Sequence, residues 1–110
     1  MHDCRLKKSA DIRAIRGKPP VLKASTLLIY RKDSAHHRLA IMVAKKSFPK
    51  AHDRNRVKRV IRHVFYQLKN VLLSGDYVFQ VRNNFRSIDQ SQQSREVQKI
   101  CDRLISSLTI

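Results

Sequence analysis

Acidic residues are scarce in this chain of 110. Eight Asp and Glu stand against 24 Lys and Arg, a formal charge of +16, with a sequence pI of about 10.8. So unbalanced a chain repels itself, and nucleic acid is the polyanion that best relieves it. An anionic membrane surface fits less well, because no terminal amphipathic helix or lipidation motif is present. No apolar run approaches the ~18 residues of a membrane span. Met1-His2-Asp3-Cys4-Arg5 leads into charge rather than an apolar signal region, so a cytoplasmic protein is expected. The two cysteines, Cys4 and Cys101, have neither zinc nor redox spacing and read as incidental thiols. Tryptophan is absent and glycine occurs only at positions 17 and 75. That leaves no Gly-rich phosphate loop, no G-x-x-G loop of the KH type and no aromatic-rich RRM strand.

Chemistry-bearing clusters are missing too. Asp3, Asp11, Asp33, Asp53, Asp76, Asp89, Glu96 and Asp102 are scattered singly, which gives no carboxylate group for metal-dependent cleavage. His2, His36, His37, His52 and His63 form no pair with acid–base spacing. No catalytic residue and no metal ligand is assigned, and the chain reads as a binder.

What is present is an α+β pattern in a single domain, residues 1–110. A short helix holds Ile12 and Ile15 on its inner face, with Ser9 or Asp11 as cap. Thr26 to Tyr30 and Arg38 to Ala44 read as strands, expected to pair as an antiparallel hairpin. A helix from about Arg54 to Leu72 follows, then a strand from Tyr77 to Arg82 that predicts a β-α-β crossover with a parallel pair. Asn83 to Gln90 reads as a polar loop. A last helix carries Val97, Ile100, Cys101, Leu104, Ile105 and Leu108 at helical spacing. The expected architecture is a two-layer α/β sandwich, α-β-β-β-α-β-α, with a mixed sheet of about four strands.

The middle helix is the most informative segment. Val57, Ile61, Val64 and Leu68 lie on one face, while Asn55, Lys58, Arg59, Arg62 and Lys69 cluster opposite, at ~100° per residue. Between Lys45 and Arg62 there are eight Lys or Arg and one acid, Asp53. A merely solvated face would mix signs for i,i+4 pairing, so this ridge points to phosphates. Lys45 and Lys46 extend the patch from the preceding strand end, where they equally suit edge protection. Tyr30 sits on a strand whose alternation could expose it for base stacking; on residue evidence alone, Tyr30 and Ile12 serve core packing as well.

Ala44-Lys45-Lys46, then Arg54-Asn55-Arg56 with Lys58-Arg59 and Ile61-Arg62, resembles the V-[AS]-K-K strand end and R-N-R-x-K-R-x-x-R helix of the bacterial ribonuclease P protein subunit. Lys50 to Arg56 is similar to gamma-proteobacterial members, although the loop Ser47 to Asp53 has Pro49 and no glycine where many members turn on one. The resemblance implies a ribosomal-protein-like fold and a subunit inactive alone. Its implied partners are ribonuclease P RNA and precursor tRNA, in a heterodimeric ribonucleoprotein whose free protein is a monomer. It implies catalysis by the RNA with Mg²⁺, removing the 5′ leader. Lys45, Lys46, Arg54, Asn55, Arg56, Lys58, Arg59 and Arg62 would contact the RNA subunit. Ile12, Arg16 and Tyr30 would line the leader cleft between the first helix and the sheet. The family usually places an aromatic where this chain has Ile12, and often a second where it has Arg16, so the resemblance implies that stacking there is weaker or is replaced by an Arg plane. A ribosomal-type RNA binder and a helix-turn-helix regulator share the size and charge; the order of the arginine motif and the strand after the basic helix count against them.

Overall fold

Tyr77-Val78-Phe79 is apolar on both faces, as a strand buried between layers must be. In the computed structural model, which describes residues 5–108, this run lies in a central strand. The elements in order are α1 (Ser9–Arg16), β1 (Leu22–Lys23), β2 (Leu27–Lys32), β3 (His37–Met42), α2 (Ala51–Leu68), β4 (Gly75–Val81) and α3 (Gln90–Leu108). The sheet order is β1-β2-β4-β3, with β4 antiparallel to β2 and parallel to β3.

The element order, the mixed four-stranded sheet and the parallel β3-α2-β4 crossover match expectation. The hairpin does not: β4 inserts between β2 and β3, which therefore never pair. Burial explains the swap. Every residue of β4 but Gln80 is buried, whereas β3 is half-exposed at both ends and takes the sheet edge. Three boundaries also move. Lys8, not Ser9 or Asp11, occupies the α1 cap position, and it makes no side-chain cap bond. The basic helix spans Ala51–Leu68 rather than Arg54 to Leu72. The loop after β4 contains a 3₁₀ turn, Asn83–Ser87, because Phe85 folds inward to full burial.

Alternation along the strands splits the apolar residues between two faces. Leu27, Ile29, Leu39, Tyr77, Phe79 and Val81 join the stripes of α2 (Val57, Ile61, Val64, Phe65) and α3 (Val97, Ile100, Cys101, Leu104) in the main core. Phe65 packs edge-on against both Tyr77 and Phe79. The other face carries Ala40 and Val78, covered by Leu6 and Ile15, with Ile12, Tyr30 and Met42 packed around them. Thus α1 lies across the sheet from α2 and α3. The chain before α1 adds to the β3 edge, where the Leu6 N–H donates to the Leu39 carbonyl at 2.9 Å.

Candidate nucleic-acid interface

Once Val57, Ile61 and Val64 are seated on the sheet, α2 must turn its opposite face outward. Asn55 and Arg59 are exposed, while Lys58 and Arg62 are half-buried along the flank facing β3. Among the described residues none of Lys58, Arg59 and Arg62 is paired with a carboxylate. Lys45 and Lys46 stand exposed on the turn after β3, where the Ala44 carbonyl accepts from the backbone N–H groups of Ser47 and Phe48.

Two of the expected RNA contacts are employed by the fold. The Arg54 guanidinium donates to the Phe48 and Pro49 carbonyls at 2.8 and 2.9 Å, pinning the glycine-free loop to the helix. Arg56 pairs with Asp53 at 2.9 Å, and with the Gln90 amide turned so that its oxygen faces the guanidinium, that oxygen accepts from both terminal nitrogens at 3.1 and 3.0 Å. Arg56 therefore ties α2 to the start of α3. Elsewhere, Arg38 is held charged by a bidentate hydrogen bond to the buried Asp76 carboxylate, at 2.8 and 3.0 Å, so two of its donors serve the fold. Burial pushes the Cys101 thiol up to about 12 and removes it from thiolate chemistry near neutral pH. Cys4 lies outside the described residues.

The three expected cleft residues lie on the α1 side of the sheet. Register sets Tyr30, Val78 and Ala40 in one row across β2, β4 and β3, and Leu28, Gln80 and Met42 in the next. Ile12 and Tyr30 are half-buried against this face, so packing claims part of each. Arg16 donates to the Gln80 side-chain oxygen at 3.3 Å, which fixes its guanidinium over the second row.

A seam runs along the β3 edge between α1 and α2. One groove of about 240 Å³ is lined by Ile12 on one wall and by Lys58, Arg62 and Tyr66 on the other. A second, of about 420 Å³, is lined by Arg16, Met42 and Gln80 with Lys58 again. Ile12 and Arg16 thus face the basic helix across one trough, which Tyr30 does not line. Sequence reasoning missed Tyr66 and Gln80. The helical projection contains the signal for Tyr66, which falls between Arg59 and Arg62 on the polar face and is 38% exposed.

Among the described residues no three His, Cys, Asp or Glu side chains gather to hold a metal ion. None of the described helices is long and apolar enough to cross a membrane.

The sequence matches the family model for ribonuclease P over residues 1–105. It is 33% identical over 107 residues to the ribonuclease P protein component of Histophilus somni, covering 94% of this chain and 88% of that one. The Haemophilus influenzae counterpart is 35% identical over 80 residues, covering 73% and 67%. Among solved structures, the Staphylococcus aureus RNase P protein superposes with a TM-score of 0.82 at 27% identity, covering 93% of this chain and 95% of that one. The Thermotoga maritima protein does so at 0.76 and 26%, covering 96% and 98%. These matches agree with the mixed sheet and the element order: the chain belongs to the bacterial ribonuclease P protein family, the protein subunits of the enzyme that matures tRNA 5′ ends.

Proposed function

We propose that the α2 ridge binds the RNA subunit of ribonuclease P and that the α1 face of the sheet receives the 5′ leader of precursor tRNA. Family membership implies association with ribonuclease P RNA, and the family's holoenzyme generally uses Mg²⁺. In our reading Lys45, Lys46, Asn55, Lys58, Arg59 and Arg62 contact RNA phosphates directly. Arg54 and Arg56 contribute by holding the loop and α3 in place beneath them, with whatever charge they leave exposed. Ile12, Arg16 and Tyr30 hold the single-stranded leader, with the Arg16 plane available where an aromatic ring would stack.

The observation that carries this reading is on α2 itself: Lys58, Arg59 and Arg62 on one helix face with no carboxylate partner among the described residues. Such groups replace diffuse ions that would otherwise screen the repulsion between two RNAs. The protein therefore lowers the holoenzyme's magnesium demand, and the RNA supplies the ion sites and the reaction. The chain acts as a single domain, monomeric when free, in a cytoplasmic heterodimer of one protein and one RNA.

Reconstitution tests the proposal. The protein is mixed with ribonuclease P RNA from the same organism at low, near-physiological Mg²⁺, and leader release from precursor tRNA is followed. Cleavage requiring both components is expected. A protein that neither binds that RNA nor stimulates cleavage would leave a ribosomal-type RNA binder as the better description.

A further inference from the structure

Tyr66 is the one exposed aromatic ring on the cationic face of α2. It follows Lys58 and Arg62 at i+8 and i+4, so the three stand in a column along the helix, about 6 Å apart at ~1.5 Å per residue. All three line the same groove, whose far wall is Ile12. Lys58 also lines the adjoining groove with Arg16 and Gln80. The trough is thus continuous from the α1 face, past Lys58 and Arg62, to the Tyr66 ring.

An aromatic face beside cations is the arrangement that holds an unpaired nucleotide: the base stacks and the backbone is neutralised. Tyr66 also has no packing role that demands a ring there. Its contact with Phe65 is edge-on at 6.4 Å, so the face of the ring is not stacked on Phe65. We propose that the leader strand leaves the α1 face along the β3 edge and ends on Tyr66, with one unpaired base stacked on the ring, while Lys58 and Arg62, half-buried between trough and ridge, neutralise the leader backbone on one side and the RNA subunit on the other. This inference rests on the leader reading above and adds a distal subsite to it.

The test uses reconstituted holoenzyme and precursor tRNAs whose leaders are lengthened one nucleotide at a time, with mature tRNA as the reference. Tyr66→Leu keeps apolar bulk without the π face, and Tyr66→Phe keeps the face. In the wild type, affinity should rise with leader length and then level off. Tyr66→Leu should erase only the last increment, roughly tenfold for one stacked base, while short-leader precursors and mature tRNA bind as before. Tyr66→Phe should follow the wild type. A Tyr66→Leu curve that overlays the wild type at every length overturns the subsite. So does an equal loss at all lengths including mature tRNA, which would place Tyr66 against the RNA subunit or the tRNA body. If wild-type affinity ignores the leader altogether, the leader reading itself fails, and that is visible before any variant is compared. Unchanged circular dichroism and melting of Tyr66→Leu confirm that folding is not the cause.

Discussion

Arg54 and Arg59 are five residues apart in one motif and do different work. Arg59 stands exposed on the ridge. Arg54 is half-buried, and its Nη1 donates to both the Phe48 and Pro49 carbonyls. Charged hydrogen bonds of this kind contribute about 1.5–3 kcal/mol together with the order they impose. Arg54→Ala should therefore lower the melting temperature by several degrees, at ~4–8 °C per kcal/mol for a domain near this size, and weaken RNA binding through the loosened loop. Arg59→Glu should leave melting unchanged and weaken RNA-subunit binding, most at low salt. Thermal melts and a binding titration of both variants check this; equal melting with equal affinity loss would mean that Arg54 is simply another ridge cation. The helical projection separates Arg59 cleanly from the Val57/Ile61/Val64 stripe. It also places Arg54 near the stripe's edge, but its carbonyl partners depend on the path of a loop that no local pattern specifies.

At the scale of elements, helices were the more legible part. Period-3.6 apolar stripes locate α2 and α3 because each buries one face against the same sheet. Strand existence was legible too, but strand neighbours were not. Thr26 to Tyr30 and Arg38 to Ala44 look like a hairpin because they are consecutive, and only the unbroken apolar run Tyr77-Val78-Phe79 hints that a later strand takes the centre. The same non-local pairing gives Gly75 its constraint. Entering β4 beside the end of β2, Gly75 has φ of +159°, and an added Cβ would lie 2.9 Å from the Lys32 carbonyl oxygen and 2.8 Å from Arg31 Nε. Arg31 cannot easily retreat: it is paired with Asp33 at 2.6 Å and its guanidinium lies 5.9 Å from the centre of the Tyr77 ring. Gly75→Ala should thus cost about 1–3 kcal/mol, read as a lower denaturant midpoint. A midpoint equal to wild type would show that β4 shifts to accept the methyl group.

Across the whole molecule the excess charge is divided, and the division decides what salt can do. Some cations are spent internally: Arg31 on Asp33, Arg38 on Asp76, Arg56 on Asp53. Lys58, Arg59 and Arg62 on α2, and Lys45 and Lys46 on the turn, have no such partner among the described residues. Composition alone gave the +16 total, but not this partition, since the pairing of Arg38 with Asp76 depends on β3 and β4 lying side by side. Counterion release scales with the cations that reach phosphates, not with net charge. If Lys45, Lys46, Lys58, Arg59 and Arg62 are the contacts, log affinity for the RNA subunit should fall against log salt with a slope of roughly −3.5 to −4.5, at about 0.7–0.9 per phosphate. Lys45→Gln combined with Lys46→Gln should flatten that slope by roughly 1.5, whereas Arg38→Gln should leave it alone and act on stability instead. Titrations at several salt concentrations separate these outcomes. A slope several times steeper would mean that the whole cationic surface, and not one ridge, meets the RNA; a slope untouched by the lysine pair would return those two residues to guarding the sheet edge.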